Sequence, residues 1–427
     1  MAAGDAGTPG ELDLDTARWL TSNTGLAAVA RATRHLDEGA DELSAAADLA
    51  RTVHEPARRA AALTAAVARR RARERWPEAD ELLFTREALE QASDPILSTH
   101  RARRLLTDAP AGCAVFDLCA GIGGDTIALA RAGAGLGAPV TAVDLDQARL
   151  VLLAHNAEVA GVQVTVRAAD ALTVTVPAGS LLHADPARRQ GERRLRRLDA
   201  YLPSVPALLA AHAGAAGWAL ALAPGIGFDD PLLPHDVEVE YVQLGSSLLE
   251  ATLWRGAHRG QAAPTASATL LPAGHHLAAQ PVPADRQRLS VGPVGDHLIE
   301  MAPAAIRARR HDVLGAAIGA RRVARTRALV TTDGPPPPSP WYRSRPVVAV
   351  LPGRTRDVKR WLGGEGRGLV SEAGAVEVVL HGVAGDPTGL WRELGRPPRG
   401  PAGLRLEFIR RDEDTITVVT RSAGSDT

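Results

Sequence analysis

Residues 115–126 constrain this chain more than any other stretch. A short apolar strand (Val115, Phe116) runs into Asp117, and a turn holding Gly121, Gly123 and Gly124 opens a helix through Ile127, Ala128, Leu129 and Ala130. Strand, glycine turn and helix in that order make the first βα unit of an open parallel sheet, where backbone can approach a bound nucleotide. Glycine has no Cβ, so the turn can bend sharply and admit a ligand. A dinucleotide fingerprint would need a third glycine where Thr126 stands, and no Gly-Lys-Ser/Thr follows, which excludes a P-loop.

The pattern continues downstream. Residues 138–144 read as a second strand ending in Asp144, after a connection lengthened by the loop 133–137. A carboxylate at that place can accept both ribose hydroxyls of an adenosine. A helix over 147–160 leads to a third strand, 162–166, then to Asp170 and Ala171, where a side-chain oxygen can meet an adenine amino group. A fourth strand from Ser180 ends in Asp185, Pro186, Ala187, Arg188 and Arg189. Residues 201–212 read as a helix and 218–227 as a fifth strand with its turn. Residues 237–244 and 248–254 form a closing antiparallel pair around Gly245, Ser246 and Ser247.

Asp117, Gly121 and Gly123, with an acid after each following strand, resemble class I S-adenosylmethionine-dependent methyltransferases. The resemblance implies an α/β fold with a doubly wound, Rossmann-like sheet and S-adenosylmethionine as cofactor. It places Asp117, Cys119, Ala120, Gly121, Gly123, Gly124, Asp144, Leu145, Asp170 and Ala171 around that cofactor, with Cys119 where most such chains carry glycine. Asp185, Pro186 and Arg188 fall at the transfer point. Amino methyltransferases have Asn or Asp there, then two prolines and an aromatic; Ala187 and Arg188 replace the last two, so the methylated atom stays open. The glycine turn is also similar to that of cytosine-5 DNA methyltransferases. Those enzymes need a cysteine after the fourth strand, and the only cysteines here are Cys113 and Cys119, so attack through a cysteine is excluded.

Charge adds local rather than global information. With 49 basic and 49 acidic residues the chain has no net attraction for nucleic acid. Arginines nevertheless cluster at Arg58, Arg59, Arg69, Arg70, Arg71, Arg73 and Arg75, and again over 188–197 beside the transfer point; each cluster is either a phosphate contact or a solvated face. Two cysteines, no apolar leader and no uninterrupted apolar run of spanning length point to a cytoplasmic protein away from the membrane. Nothing points to a metal.

The remainder frames this core. Residues 1–10 read as a tail, and 11–75 as helical from the spacing of Leu20, Leu26, Val29, Leu63 and Val67. Trp76 and Pro77 punctuate that region, and Thr85 is an N-cap candidate for a helix with Ala88, Leu89 and Ala92 on one face, followed by helix to 106. Beyond 257 come a strand at 266–271, a strand at 297–300, an arginine-rich helix over 304–328 and a stiff proline run, 334–340, read as a linker. A compact α+β module follows: strands at 345–351 and 375–380, helices at 354–362 and 387–394, and a terminal pair at 404–409 and 414–420.

This order of parts, with the words at 84–92, 185–189, 222–225 and 250–254, resembles a bacterial family of class I methyltransferases carrying a C-terminal THUMP-like domain. The resemblance implies RNA, either tRNA or rRNA, as substrate and partner. Leu380 and His381 depart from the family, which carries basic residues there. The expected domains are an N-terminal helical region (1–105), the methyltransferase domain (106–257), a connecting segment (258–333), the linker (334–340) and the THUMP-like module (341–427). Two rivals remain: a methyltransferase of a small molecule or protein, and a non-catalytic cofactor-binding module for RNA or another partner.

Overall fold

The computed structural model describes residues 12–188, 197–256, 265–280, 289–395, 403–412 and 414–421. They fall into two compact units, one of residues 1–242 and 249–265, the other of 243–248 and 266–427. The expected tail at 1–10 lies outside the described residues.

The first unit opens with four helices, α1 (Leu14–Leu20), α2 (Asn23–Asp37), α3 (Glu42–Leu49) and α4 (Pro56–Ala72). Asp13, Ser22 and Asp41 cap the first three through side-chain oxygens, and Pro56 starts the fourth, where a missing N–H costs nothing. Their apolar faces close on a core that includes Leu20, Val29, Leu36, Leu49 and Ala66. Most of the α4 arginines are engaged inside this region. Arg70 and Arg73 pair with Asp37, Arg73 also with Asp80, and Arg58 with Glu55. Arg69 is buried and donates to the carbonyls of Leu82 (2.7 Å) and Glu81 (3.0 Å). Arg69, Arg70 and Arg73 therefore tie this region together, while the side chains of Arg58, Arg70 and Arg73 stay partly exposed.

Helices α5 (Arg86–Gln91) and α6 (Pro95–Leu106) follow, with Thr85 accepting from Ala88 N as the cap of α5. Then come β1 (Val115–Leu118), α7 (Gly124–Gly133), β2 (Val140–Asp144), α8 (Gln147–Val159), β3 (Thr165–Ala168), β4 (Leu181–Ala184), β5 (Ala187–Arg188), β6 (Tyr201–Leu202), α9 (Val205–Ala211), β7 (Gly217–Leu222), β8 (Val237–Leu244) and β9 (Ser247–Gly256). The strands stand in the order β8-β9-β7-β4-β1-β2-β3, parallel from β7 to β3, with β9 antiparallel to β7. This is the expected Rossmann-like sheet.

Local differences have local causes. The third strand begins at Thr165 rather than 162, because Val162 and Val164 pack into the core that holds Val140 and Leu129. The helix expected from 201 starts only at Val205: Pro203 interrupts, Ser204 caps it, and Tyr201 and Leu202 pair as a strand with Arg188 and Ala187.

In the second unit β10 (Thr265–Leu271) and β11 (His275–Gln280) form a hairpin. The rest comprises β12 (His297–Met301), α10 (Pro303–Arg307), α11 (His311–Ala317), β13 (Arg321–Arg322), β14 (Leu329–Thr332), β15 (Tyr342–Pro352), α12 (Thr355–Gly363), α13 (Arg367–Ala373), β16 (Val376–His381), α14 (Pro387–Glu393), β17 (Leu404–Arg410) and β18 (Thr415–Arg421). Seven of these strands make one sheet, β13-β14-β12-β15-β18-β17-β16. Leu406, Phe408 and Val419 pack against Val358 and Trp361 of α12 on one face, while Ile409, Val418 and Leu298 pack on the other.

Two expectations change here. The single helix over 304–328 is two short helices and a strand, broken where Arg309 and Gly319 adopt left-handed φ of 55° and 65°. Residues 334–340 join β14 to β15, which flank β12 in the same sheet, so the proline run is an internal connection and not a boundary between units. It is held in place by Tyr342, whose hydroxyl donates to the Pro337 carbonyl.

Candidate functional site

β1 pairs with β2 on one side and β4 on the other, so the winding direction of the sheet reverses at β1. Such a switch point leaves a crevice beyond the C-terminal strand ends. The turn after β1 is built from three left-handed residues: Cys119 (φ 63°), Gly121 (56°) and Gly123 (97°). A Cβ on Gly123 would stand 2.8 Å from Leu153 Cγ of α8, so glycine is needed there on two counts. A Cβ on Gly121 would meet nothing within 4 Å; that side of the turn is open. Gly121 N–H donates to Asp144 Oδ2 (2.8 Å), and Asp144 Oδ1 accepts from Asp146 N (2.9 Å), so Asp144 ties the ends of β1 and β2 together.

The other crevice residues are close by in the fold. Leu145 is 73% exposed beside Asp144. Asp170 Oδ1 accepts from Leu172 N (2.8 Å), and Ala171 is buried with its carbonyl 2.6 Å from His212 Nε2. Burial raises the Cys119 thiol, and the carboxylates of Asp144, Asp117, Asp185 and Asp170 push it the same way. Four acids from four strand ends thus act on one point, and Cys119 is no thiolate nucleophile.

Behind this crevice lies a buried charge cluster that the sequence reading did not assemble. Asp117 is 1% exposed; its Oδ2 accepts from Thr126 Oγ1, and its Oδ1 lies 2.7 Å from His183 Nδ1. The carboxylate expected to face a cofactor is therefore turned inward, where it joins β1, α7 and β4. His183 Nε2 stands 3.7 Å from Asp125 Oδ1. Arg101 of α6 is also 1% exposed and reaches Asp125 Oδ1 (2.5 Å), Ser93 Oγ (2.7 Å) and Glu250 of β9.

Asp185 sits two residues past His183 and makes no hydrogen bond to a described residue. Burial, and then the Asp125 carboxylate, push its carboxyl up to about 7, against the pull of Arg101. Asp125 meets its own burial with the Arg101 guanidinium and is held down at about 2. His183 is raised, because Asp125 and Asp117 outweigh its desolvation. Asp185, half-buried by accessible surface, is thus the carboxyl of this cluster least disposed to ionise.

Pro186 is buried, and the chain after it enters the β5/β6 pair. Tyr201 of β6 accepts from Ala223 N at 2.8 Å, which anchors this hairpin at the end of β7. The side chain of Arg188 and residues 189–196 of the basic stretch expected over 188–197 lie outside the described residues, and Arg197 at its end is paired with Asp199 at 2.6 Å.

Arg101, Asp125, His183 and Glu250 left faint signals in the sequence. Arg101 shares a helix face with Leu97 and Leu105, and His183 interrupts the apolar run Leu181, Leu182 and Ala184. Charged residues on apolar faces mark a buried network. Their partners cannot be read off, since Arg101 and Glu250 are 149 positions apart. Among the described residues no group of His, Cys, Asp or Glu is arranged to hold a metal ion, and no helix is long and apolar enough to cross a membrane.

Known proteins resemble this chain in sequence and in fold. Residues 13–72 match a family described as a domain of unknown function, and residues 113–180 match the RNA cap guanine-N2 methyltransferase family. An uncharacterised S-adenosylmethionine-dependent methyltransferase of Mycobacterium tuberculosis, known from two strains, is 29% identical over 339 residues, spanning 79% of this chain and 87% of the relative. The crystal structure of a Porphyromonas gingivalis W83 protein assigned as a methyltransferase has a TM-score of 0.69 at 16% identity, covering 96% of this chain and 98% of that one. That likeness is one of fold.

Proposed function

We propose that this chain, an S-adenosylmethionine-dependent methyltransferase with the class I Rossmann-like fold, methylates RNA, either tRNA or rRNA, by direct in-line transfer. The cofactor supplies an electrophilic methyl group on a positively charged sulfonium. The crevice fits it chemically: four acids surround a glycine turn whose Gly121 side is open. In this reading Cys119, Ala120, Gly121, Gly123 and Gly124 bring backbone to the cofactor. Asp144 takes the ribose hydroxyls with its remaining lone pairs, and Leu145, Asp170 and Ala171 receive the adenine. Asp117 acts indirectly, by fixing Thr126 and His183.

The observation that carries the reading is Asp185. A carboxyl held near 7 by burial accepts a hydrogen bond from the N–H or O–H of an incoming nucleophile, aligns its lone pair and takes up the released proton at neutral pH. Pro186 fixes the backbone at that point, and Arg188 follows it on β5. No cysteine occurs after Cys119, so no cysteine-dependent covalent step on a base is available.

RNA as substrate is supported by the family matched at 113–180. The THUMP-like reading of the second unit belongs to the same proposal, although His381 is held by Glu407 at 2.9 Å and is not a free phosphate contact. The test is transfer of labelled methyl from S-adenosylmethionine to undermethylated bulk RNA, with tRNA and rRNA separated afterwards. Label in RNA with the parent and none with Asp185→Ala supports the proposal. Label confined to protein or small molecules overturns the RNA substrate.

A further inference from the structure

A cavity of about 330 Å³ lies within the first unit, lined by none of the four crevice acids. That volume is at the lower end of small-molecule sites, roughly 300–1,000 Å³. Its interior is apolar and aromatic, formed by Trp76, Phe84, Ile122, Ile127, Ala128 and Ala132. The rings of Trp76 and Phe84 stand 5.5 Å apart at 57°. Ile127, Ala128 and Ala132 sit on one face of α7 and stay only half-buried, because the cavity lies over them.

Its polar groups are few. Ser98 and Thr99 line it from α6. Arg131 also lines it and is paired with Glu78 at 2.8 Å, whereas Arg103 is exposed and has no ion pair with a described residue. The two rings are buried against each other and give the cavity an apolar wall that a flat base can lie against. An unpaired guanidinium selects an anion within reach of that ring.

We infer that this cavity binds a nucleotide, its base against Trp76 and Phe84 and its phosphate on Arg103. The nucleotide is either free or an unpaired residue of RNA, and the second source rests on the RNA reading above. Ile122 and Gly124 line the cavity from the glycine turn itself, so the cavity adjoins that turn.

The experiment is calorimetric titration of GMP, AMP, inorganic phosphate and a short single-stranded oligoribonucleotide into the full chain. The parent is compared with Ile127→Trp, which fills the cavity, and Arg103→Glu, which reverses the charge at its mouth. Binding of S-adenosylhomocysteine is the control for folding and for the crevice. The expected result is mononucleotide binding that Ile127→Trp loses and Arg103→Glu weakens about tenfold or more, with phosphate alone not bound and S-adenosylhomocysteine unaffected. Oligonucleotide binding with the same sensitivity assigns the occupant to RNA; mononucleotide binding without it assigns a free nucleotide.

Absence of binding by the parent overturns the inference, and so does binding unchanged in both variants. Should Ile127→Trp fail to fold, Ala132→Leu fills less of the cavity and Arg103→Glu leaves the core untouched. The two proposals fail separately: unmethylated RNA beside cavity-dependent GMP binding removes the RNA substrate and keeps the nucleotide site.

Discussion

Each unit pairs a histidine on a parallel strand with a buried carboxylate on the neighbouring one, and the two pairs end differently. In the second unit His381 of β16 lies 2.9 Å from Glu407 of β17. Glu407 also accepts from Arg345 Nε (3.1 Å) and Thr420 Oγ1 (2.9 Å). Against full burial, those contacts hold its carboxyl down at about 2. In the first unit His183 of β4 lies 2.7 Å from Asp117 of β1, and Arg101 serves Asp125 and Glu250. Asp185, beside them, receives no such contact and rises to about 7. A buried network whose members are all paired specifies architecture; one that leaves a carboxyl over keeps a proton acceptor for chemistry.

The largest expected effect separates the two clusters directly. Asp185→Ala should lower methyl transfer by about 10²- to 10⁴-fold, the range for losing a positioned acid–base group, while S-adenosylhomocysteine still binds in calorimetry. Glu407→Ala should leave transfer per folded molecule unchanged and cost about 1–3 kcal/mol in denaturant unfolding, because it removes the partner of His381 and one of the two carboxylates that hold Arg345, whose other is Glu300. If Glu407→Ala stopped transfer and Asp185→Ala did not, the contrast between the clusters would collapse.

The pH dependence of stability should have opposite signs in the two units. Asp185 is raised above the ordinary carboxyl value, so the folded protein holds that proton more tightly than the unfolded chain. Its contribution is full below about pH 4 and is lost as pH rises toward 7. Asp185→Asn should therefore melt above the parent at pH 8, with the gap closing below about pH 4. Glu407 is depressed, so its stabilisation is present above about pH 4 and is lost as pH falls through about 2. Glu407→Gln should melt below the parent at neutral pH, with that gap closing in acid. Thermal melts from about pH 2 to 9 read both; equal signs would mean that Asp185 finds partners in solution.

The sequence revealed the parts of this molecule that depend on neighbours in the chain. Asp117, Gly121, Gly123 and Asp144 follow strand ends in a pattern set by the parallel sheet, and Thr85 caps α5 as its position suggests. What stayed hidden depends on residues meeting across long separations. Asp117 looks like a ligand contact until His183 and Thr126 are seen to hold it from behind. Arg69, Arg70 and Arg73 look like part of a basic surface until Asp37, Asp80 and two carbonyls take them up. The proline run at 334–340 has the composition of a linker, but β12 takes strands from both its ends as neighbours, a fact of sheet topology rather than of local stiffness.

The smallest expected effect concerns Cys119, the crevice residue whose own conformation is strained. Its φ of 63° is left-handed, which costs a side-chain-bearing residue roughly 1–2 kcal/mol. Cys119→Gly removes that strain but also gives the unfolded chain more freedom, worth about 0.4–1 kcal/mol in the other direction. The balance is a stabilisation of about 1 kcal/mol or less, visible as a rise in melting temperature of a few degrees at most. In the parent, the thiol raised by burial and four carboxylates should react slowly with iodoacetamide at pH 8. Unchanged S-adenosylhomocysteine affinity in Cys119→Gly would place Cys119 in the frame of the turn, as a residue tolerated where glycine fits better. A loss of affinity beyond about tenfold, or 1.4 kcal/mol, would make the side chain itself a cofactor contact and move it from the frame into the crevice that Asp185 serves.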